Sequence, residues 1–456
     1  MTTRAPAPAR PPGPQLGPLE LARLLRRRRV TDLLERASRQ APELAHFRMG
    51  FEHAYLVSTP ELIRELFGPL GRVTAKGRGL EQARLLLGDG LLTSEGELHR
   101  RQRRLVQPAF SGSRTAAYAD VMRAEAAALP ARARWTDGAV RDIAVDMADL
   151  TLRIVGRTLF ATDLAADSPA VAGAMAELLG RFQRVMLPGG PLLNRLPLPS
   201  TRRLEAAIAE LDRVVRRLIA EHRADGRPGS LLAVLLAARD SDGRPMPDGQ
   251  VRDEVLTLML AGHETTANAL AWSWLLLDRH PAAAERLHAE VDALADPPAG
   301  PDVAELPWTR AVVAETMRLY PPAWVIGRRM LADAQIAGWT VPARSIVMAS
   351  QWVTHRDPRW WPEPTAYRPE RWIAGGVFDE AAPGQPRGAY FPFGMGRRVC
   401  VGESFAWTEA VLVLAALARD WAPALVPGHP VDVLPAVTLR PLHGLRMTLH
   451  RRSAHQ

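Results

Sequence analysis

Phe391-Pro392-Phe393-Gly394-Met395-Gly396-Arg397-Arg398-Val399-Cys400-Val401-Gly402 carries the only cysteine of the chain, and its reading decides the rest. A helical pattern, Gly402–Trp421, follows directly. Gly394 and Gly396 let the backbone turn tightly and aim amide hydrogens at the sulfur. Those amides, the positive end of the coming helix, and Arg397 and Arg398 all favour thiolate over thiol. A thiolate so placed is a nucleophile or a metal ligand. A lone cysteine can equally be an inert, buried apolar residue, and the loop alone leaves both readings open.

Three other stretches could carry chemistry. A helix from about Val251 to Arg279 would run ~45 Å at 1.5 Å per residue, with Ala261-Gly262-His263-Glu264-Thr265-Thr266 near its middle. Gly262 weakens a helix, and a threonine hydroxyl can bond a preceding carbonyl and bend it, so a mildly kinked core helix is one reading. In Glu315-Thr316-Met317-Arg318 the spacing puts acid and base on one helical face, where an isolated surface pair is worth little. In Leu98-His99-Arg100-Arg101-Gln102-Arg103-Arg104-Leu105, His99 and Arg103 share a face and could both donate to one anion. A bare charge run of this kind is otherwise a solvated surface.

Phe393-Gly394-x-Gly396-x-Arg398-x-Cys400-x-Gly402 resembles the haem-binding loop of the cytochrome P-450 family, the haem-thiolate monooxygenases, with every position filled. The resemblance extends from about residue 40 to 450 and includes His355-Arg356-Asp357-Pro358. It implies a mainly α fold with small β-sheets (α+β), one domain holding haem between a long central helix and the cysteine loop. By the same resemblance Cys400 is the axial ligand of the iron of haem b, with Phe393 and Gly394 beside the sulfur. A thiolate ligand pushes electron density onto iron and favours O–O cleavage. Arg398, His99 and Arg103 are implied as propionate ligands, and Arg328 as a further one. The Ala261–Thr266 stretch is similar to the family's oxygen-binding groove: Ala261 lies against the haem, Thr265 donates to dioxygen, and Glu264 relays protons. Glu315 and Arg318, with Arg371 of Tyr367-Arg368-Pro369-Glu370-Arg371-Trp372, resemble the family's structural Glu–Arg–Arg clamp.

Composition sets limits. The 456 residues are 47% apolar and 23% charged, an ordinary globular balance. One cysteine excludes a disulfide scaffold and any cysteine-based zinc or iron–sulfur site. The net charge is +9, yet Lys76 is the only lysine, so the arginine excess reads as high-GC bacterial codon usage. The arginines are scattered among 49 acids, which argues against a nucleic-acid partner. Leu256–Leu277 is long enough to span a bilayer, but His263, Glu264, Thr265, Thr266 and Asn268 would be costly in lipid, so a buried helix is expected.

The expected organisation is a flexible proline-rich leader over residues 1–20 and a single haem domain over 21–456. Its first part should hold a helix over Leu21–Arg39 and strands near His46–Phe51 and Ala54–Ser58, and its last part short β-like runs at Gln335–Val341, Ser345–Ser350, Ala436–Leu439 and Leu445–Leu449. We expect a cytoplasmic monomer without a membrane anchor. We expect no fused flavin domain after the cysteine loop, so that electrons would come from a ferredoxin (or flavodoxin) and its NAD(P)H reductase, docking near Arg101, Arg104 and Arg397. The expected reaction inserts one atom of O2 into a hydrophobic small molecule, a terpenoid, fatty acid or polyketide. A peroxide-driven peroxygenase, or a haem sensor or carrier without turnover, is the alternative; the Glu264–Thr265 pair favours the dioxygen reaction. The substrate pocket is expected between residues 70–92 (Leu80, Leu85, Leu86, Leu91), residues 180–200 (Met186, Leu187), Leu260 and Ala261, and Ala323, Val325 and Ile326. The stretches His99–Phe110 and Pro188–Arg203 are similar in flavour to bacterial terpene hydroxylases.

Overall fold

The structure is a computed structural model that describes residues 10–174, 177, 199–226, 229–239, 243–294, 303, 305–381 and 384–452. Helices dominate, with small sheets set apart from them, as the sequence pattern predicts. The organising element is the helix Asp248–Arg279, whose side chains are buried almost continuously from Val251 to Leu277. A helix apolar on all sides must lie inside the protein. Its closest neighbour is Ile143–Leu159. Gly262 permits that approach: a Cβ there would stand 3.1 Å from Val155 Cγ2. The central helix stays helical through Gly262 rather than breaking there.

Pro307–Leu319 and Glu403–Ala418 pack on the central helix and on each other. Glu290 caps the first of these by accepting from the backbone N–H groups of Trp308 and Thr309, both at 2.7 Å. That satisfies donors which a helix start leaves without partners. Tyr320 ends the helix before Pro321-Pro322, which cannot continue it.

A five-stranded sheet closes one end of the helical body. Leu44–Met49 pairs antiparallel with Glu52–Val57, which runs parallel to Ile346–Ala349. The latter pairs antiparallel with Ile326–Met330, and that strand with Thr74–Lys76, in a register that sets Lys76 opposite Arg328.

Three expectations are corrected. The helix foreseen over Leu21–Arg39 is two helices, Pro18–Arg26 and Val30–Gln40, separated at the arginine run, where Arg28 takes φ +58°. Four adjacent like charges favour separation over a shared helical turn. The leader foreseen through residue 20 is tied down from residue 10: Pro11 and Pro14 are buried, and the Pro12 carbonyl accepts from His46 N–H at 3.0 Å. Near the C-terminus the strand foreseen at Ala436–Leu439 is instead the turn between Val433–Pro435 and Leu439–Pro441.

Candidate active site

The Cys400 N–H donates to the Phe393 carbonyl at 2.9 Å and closes the cysteine loop on itself. Gly394 and Gly396 both adopt left-handed backbone, φ +74° and +68°, as the turn demands. A Cβ on Gly396 would fall 2.3 Å from the Phe67 carbonyl oxygen. Cys400 is accessible and borders a cavity of about 560 Å³. The protein packed around the loop still desolvates the thiol and pushes it up to about 11, with Glu403 adding to the rise and the Gly402 N–H and Arg103 opposing it. The amides and arginines foreseen to favour thiolate therefore do not outweigh burial. Arg397 is exposed, and Arg398 turns to Glu95. The thiolate needs a metal cation at the sulfur, which deprotonates a coordinating thiol outright.

The cavity lies between the central helix and the cysteine loop. Leu258, Leu260, Ala261 and Thr265 border it on one side and Phe393, Gly394, Cys400 and Phe405 on the other. Leu80, Leu91, Ala323, Val325 and Ile326 complete much of the apolar wall. Leu86 does not belong to it: the helix Arg78–Leu87 turns that side chain into the hydrophobic core, 1% exposed. The side chain of Leu85, and Met186 and Leu187, lie outside the described residues.

One end of this cavity is cationic. Buried His99, half-buried Arg103 and Arg398, and buried Arg328 all border it. Arg103 Nη1 donates to the Val399 carbonyl at 2.7 Å, and Arg398 Nη1 to the Ser94 carbonyl at 3.2 Å. Burial first, then Arg398, Lys76, Arg103 and Arg328, drives His99 down to about 3. Burial and Arg398 also lower Arg328, whose Nε has no hydrogen-bond partner. Glu95 is the carboxylate bonded to this cluster, through Arg398. Three arginines, half-buried or buried, against one carboxylate are unfavourable until an anion joins them. A haem meets the whole demand: carboxylates for the cationic end, a flat apolar body for the cavity, and iron for the Cys400 sulfur.

Over the cavity, the Thr265 hydroxyl donates to the Ala261 carbonyl at 2.9 Å. Glu264 is buried and accepts from Arg440 Nε at 2.6 Å and from the Thr438 hydroxyl. Both Glu264 and Thr265 border the cavity. His263 is bound to the Met259 carbonyl at 2.9 Å and held neutral by burial.

On the cysteine side, Glu315 and Arg318 form a bidentate pair, with Nε to Oε2 and Nη2 to Oε1 both at 2.8 Å and no exposure of either side chain. Arg371 Nε and Trp372 Nε1 also donate to the Glu315 carboxylate, at 3.2 and 3.0 Å. Arg318 spends its remaining donors on the carbonyls of His355, Pro364 and Ala366. Every charge in this network is satisfied, the condition under which buried ion pairs are tolerated.

Sequence reasoning did not single out Lys76, Glu95, Thr438 or Arg440. Arg440 lies 176 residues from Glu264, and no local spacing could join them. Lys76 did carry a signal, as the only lysine.

A thiol loop facing a long helix across an apolar, cation-capped cavity defines a haem-thiolate oxygenase. The cytochrome P450 family model matches residues 8–441, and the chain belongs to that family. It is 39% identical to "Cyclooctatin synthase" of Streptomyces melanosporofaciens over 404 residues, 87% of this chain and 86% of that protein. It is 38% identical to "Cyclooctat-9-en-7-ol 5-monooxygenase" of the same organism over 393 residues, covering 85% and 83%. Against "Pentalenene oxygenase" of Streptomyces avermitilis it is 35% identical over 420 residues, 91% of each. The protein is a haem-thiolate monooxygenase that inserts one oxygen atom from O2 into a hydrophobic small molecule, with electrons from a redox partner. Among the described residues no helix is long and apolar enough to cross a membrane.

Proposed function

We propose that the substrate is a cyclic terpenoid, hydroxylated or epoxidised at a carbon held above Cys400. The observation that carries this reading is the cavity itself: beyond its cationic end the wall is mostly aliphatic and aromatic, with few polar groups such as Glu264, Thr265 and Thr438, so shape more than hydrogen bonding orients the guest. The Streptomyces relatives, named for cyclooctat-9-en-7-ol and pentalenene, point to the same class.

In this reading the cofactor is haem b, which supplies dioxygen activation and the oxidation itself. Cys400 would hold the iron through its sulfur, with Phe393 and Gly394 on the same side of the cavity and Ala261 on the central helix across it. His99, Arg103, Arg328 and Arg398 would hold its carboxylates. The Thr265 hydroxyl leaves the Ala261 carbonyl to donate a proton into the cavity. Glu264 takes up a proton from solvent on its carboxylate and passes it on to Thr265, while Arg440, whose side chain is 27% exposed, holds that carboxylate in place without itself giving up a proton. Leu260, Val325 and Ile326 exclude water, and Ala323 leaves room for the guest. The Glu315–Arg318–Arg371 clamp keeps the cysteine side rigid.

A single haem domain that includes the segment from residue 10, a monomeric state, a cytoplasmic location, and a ferredoxin or flavodoxin with its NAD(P)H reductase belong to the same reading. Difference spectroscopy with a panel of cyclic terpenes, fatty acids and macrolides tests it. A low-to-high-spin shift confined to terpenoids is expected. A shift with fatty acids or macrolides and none with any terpenoid would contradict it.

A further inference from the structure

Lys76 is the single lysine among 58 Lys+Arg residues, and it is 7% exposed. It borders the cavity at its cationic end. Its Nζ donates to the carbonyls of Leu91 at 2.9 Å and Ser94 at 2.7 Å. An ammonium has three donors. Among the described residues no protein acceptor is found for the third, and no carboxylate is bonded to Nζ.

Its charged neighbours are two arginines and two acids, and it is an arginine that stands nearest in the sheet. Lys76 stands directly across the strand pair from Arg328, itself 8% exposed, and like charges so placed destabilise a sheet. Arg398 adds to the repulsion, and the nearby acids Glu95 and Glu254 offset it in part. Gly77 forbids retreat: a Cβ there would already fall 2.7 Å from Gly327 C, so the strands are in close contact. Two adjacent buried cations facing one cavity, each with a donor to spare, call for a shared anion.

We propose that Lys76 binds one haem propionate and, through the same ammonium, ties the cavity-wall segment Leu91–Ser94 to it. The proposal rests on the haem reading above and extends it. The residue choice follows from geometry. A compact tetrahedral ammonium can point at two carbonyls and one carboxylate, whereas a planar guanidinium directs its donors within one plane. In a chain that otherwise uses arginine throughout, lysine stands where only that arrangement fits. Leu91 borders the cavity and its N–H donates to Glu254 on the central helix at 3.0 Å, so the tie reaches the substrate wall. Cofactor carboxylate, Lys76 and substrate wall then form one connected unit.

The test uses purified holoenzyme, wild type, K76M and K76R, with two readouts besides turnover. The first is the rate of haem transfer to excess apomyoglobin; K76M should release haem about tenfold faster, as expected on losing a hydrogen bond to a charged group. The second is hydrogen exchange of the amides of residues 91–94, which should quicken in K76M and also in K76R, where the charge is kept but the geometry is not. Haem transfer at the wild-type rate in K76M, or unchanged exchange in both variants, would overturn the proposal. Should K76M not fold, wild-type protein loaded with haem dimethyl ester gives the same answer. Faster exchange at 91–94 than with free-acid haem supports the tie, and equal exchange refutes it. Wild-type protein that takes up no haem at all would instead overturn the reading on which the proposal stands.

Discussion

Arg440 Nε lies 2.6 Å from Glu264 Oε1 and joins the buried acid of the central helix to a strand whose arginine reaches solvent. The next residue, Thr265, has its hydroxyl turned back on the Ala261 carbonyl. In the proposed function the two residues divide a proton path into a solvent side and a cavity side. Replacing Thr265 by Ala should leave haem binding intact but uncouple turnover, because proton delivery inside the cavity loses its donor. Product formed per NADPH is the quantity to measure. Unchanged coupling in T265A would remove Thr265 from that role.

Glu315→Ala and Arg318→Ala should each prevent accumulation of haem-loaded protein. Removing one partner leaves the other charge buried and uncompensated, at about 3–5 kcal/mol, a large share of ordinary stability. Haem content per milligram of purified protein checks this. Variants loaded at wild-type yield would show that the pair is dispensable to the fold.

Stability should depend on pH through Glu254, which is fully buried and raised to about 7 by desolvation and by Asp253, against the Leu91 N–H, the Gln250 amide and Lys76. A carboxyl with a folded pKa above its unfolded value contributes stability at low pH and loses it as pH rises through the folded value. Between pH 4.5 and about 7 the native state holds the extra proton. Relative to E254Q, wild-type protein should therefore lose up to about 3 kcal/mol on going from acid to neutral pH. Denaturation midpoints of the two proteins, compared at mildly acidic and mildly alkaline pH, give the answer. Parallel behaviour would mean that Glu254 titrates normally.

The cysteine loop, the long helix and the Glu315–Arg318 spacing were legible because each is a local pattern read along one stretch of chain. The mainly α fold with small sheets was legible for the same reason. What escaped depends on contacts that sequence does not order. Arg440 and Thr438 reach Glu264 across the fold, and Lys76 meets Arg328 only through strand register. Leu86 was assigned to the cavity because its apolar neighbours were, although a helix turns successive side chains about 100° apart and sent it to the core. The rise of the Cys400 thiol was missed because amides and arginines are visible in sequence, while desolvation is not.

Electron delivery should respond to salt. Arg104 and Arg397 are exposed and Arg101 half-buried, on the stretches that flank His99, Arg103 and Cys400. Attraction between opposite charges mainly speeds association and is screened within about 8–10 Å at physiological ionic strength. Reduction by a ferredoxin pair should slow steeply as salt rises, and R101E or R104E should slow it at low salt. A rate indifferent to both would place the docking surface elsewhere.

The central claim is that the Cys400 thiolate is the iron ligand, and the spectrum of the reduced protein under carbon monoxide tests it most directly. Freshly prepared, undenatured protein should show the strongly red-shifted Soret band of a thiolate-ligated ferrous–CO complex, and C400H should lose it. A histidine-type CO spectrum from intact wild-type protein would contradict the account.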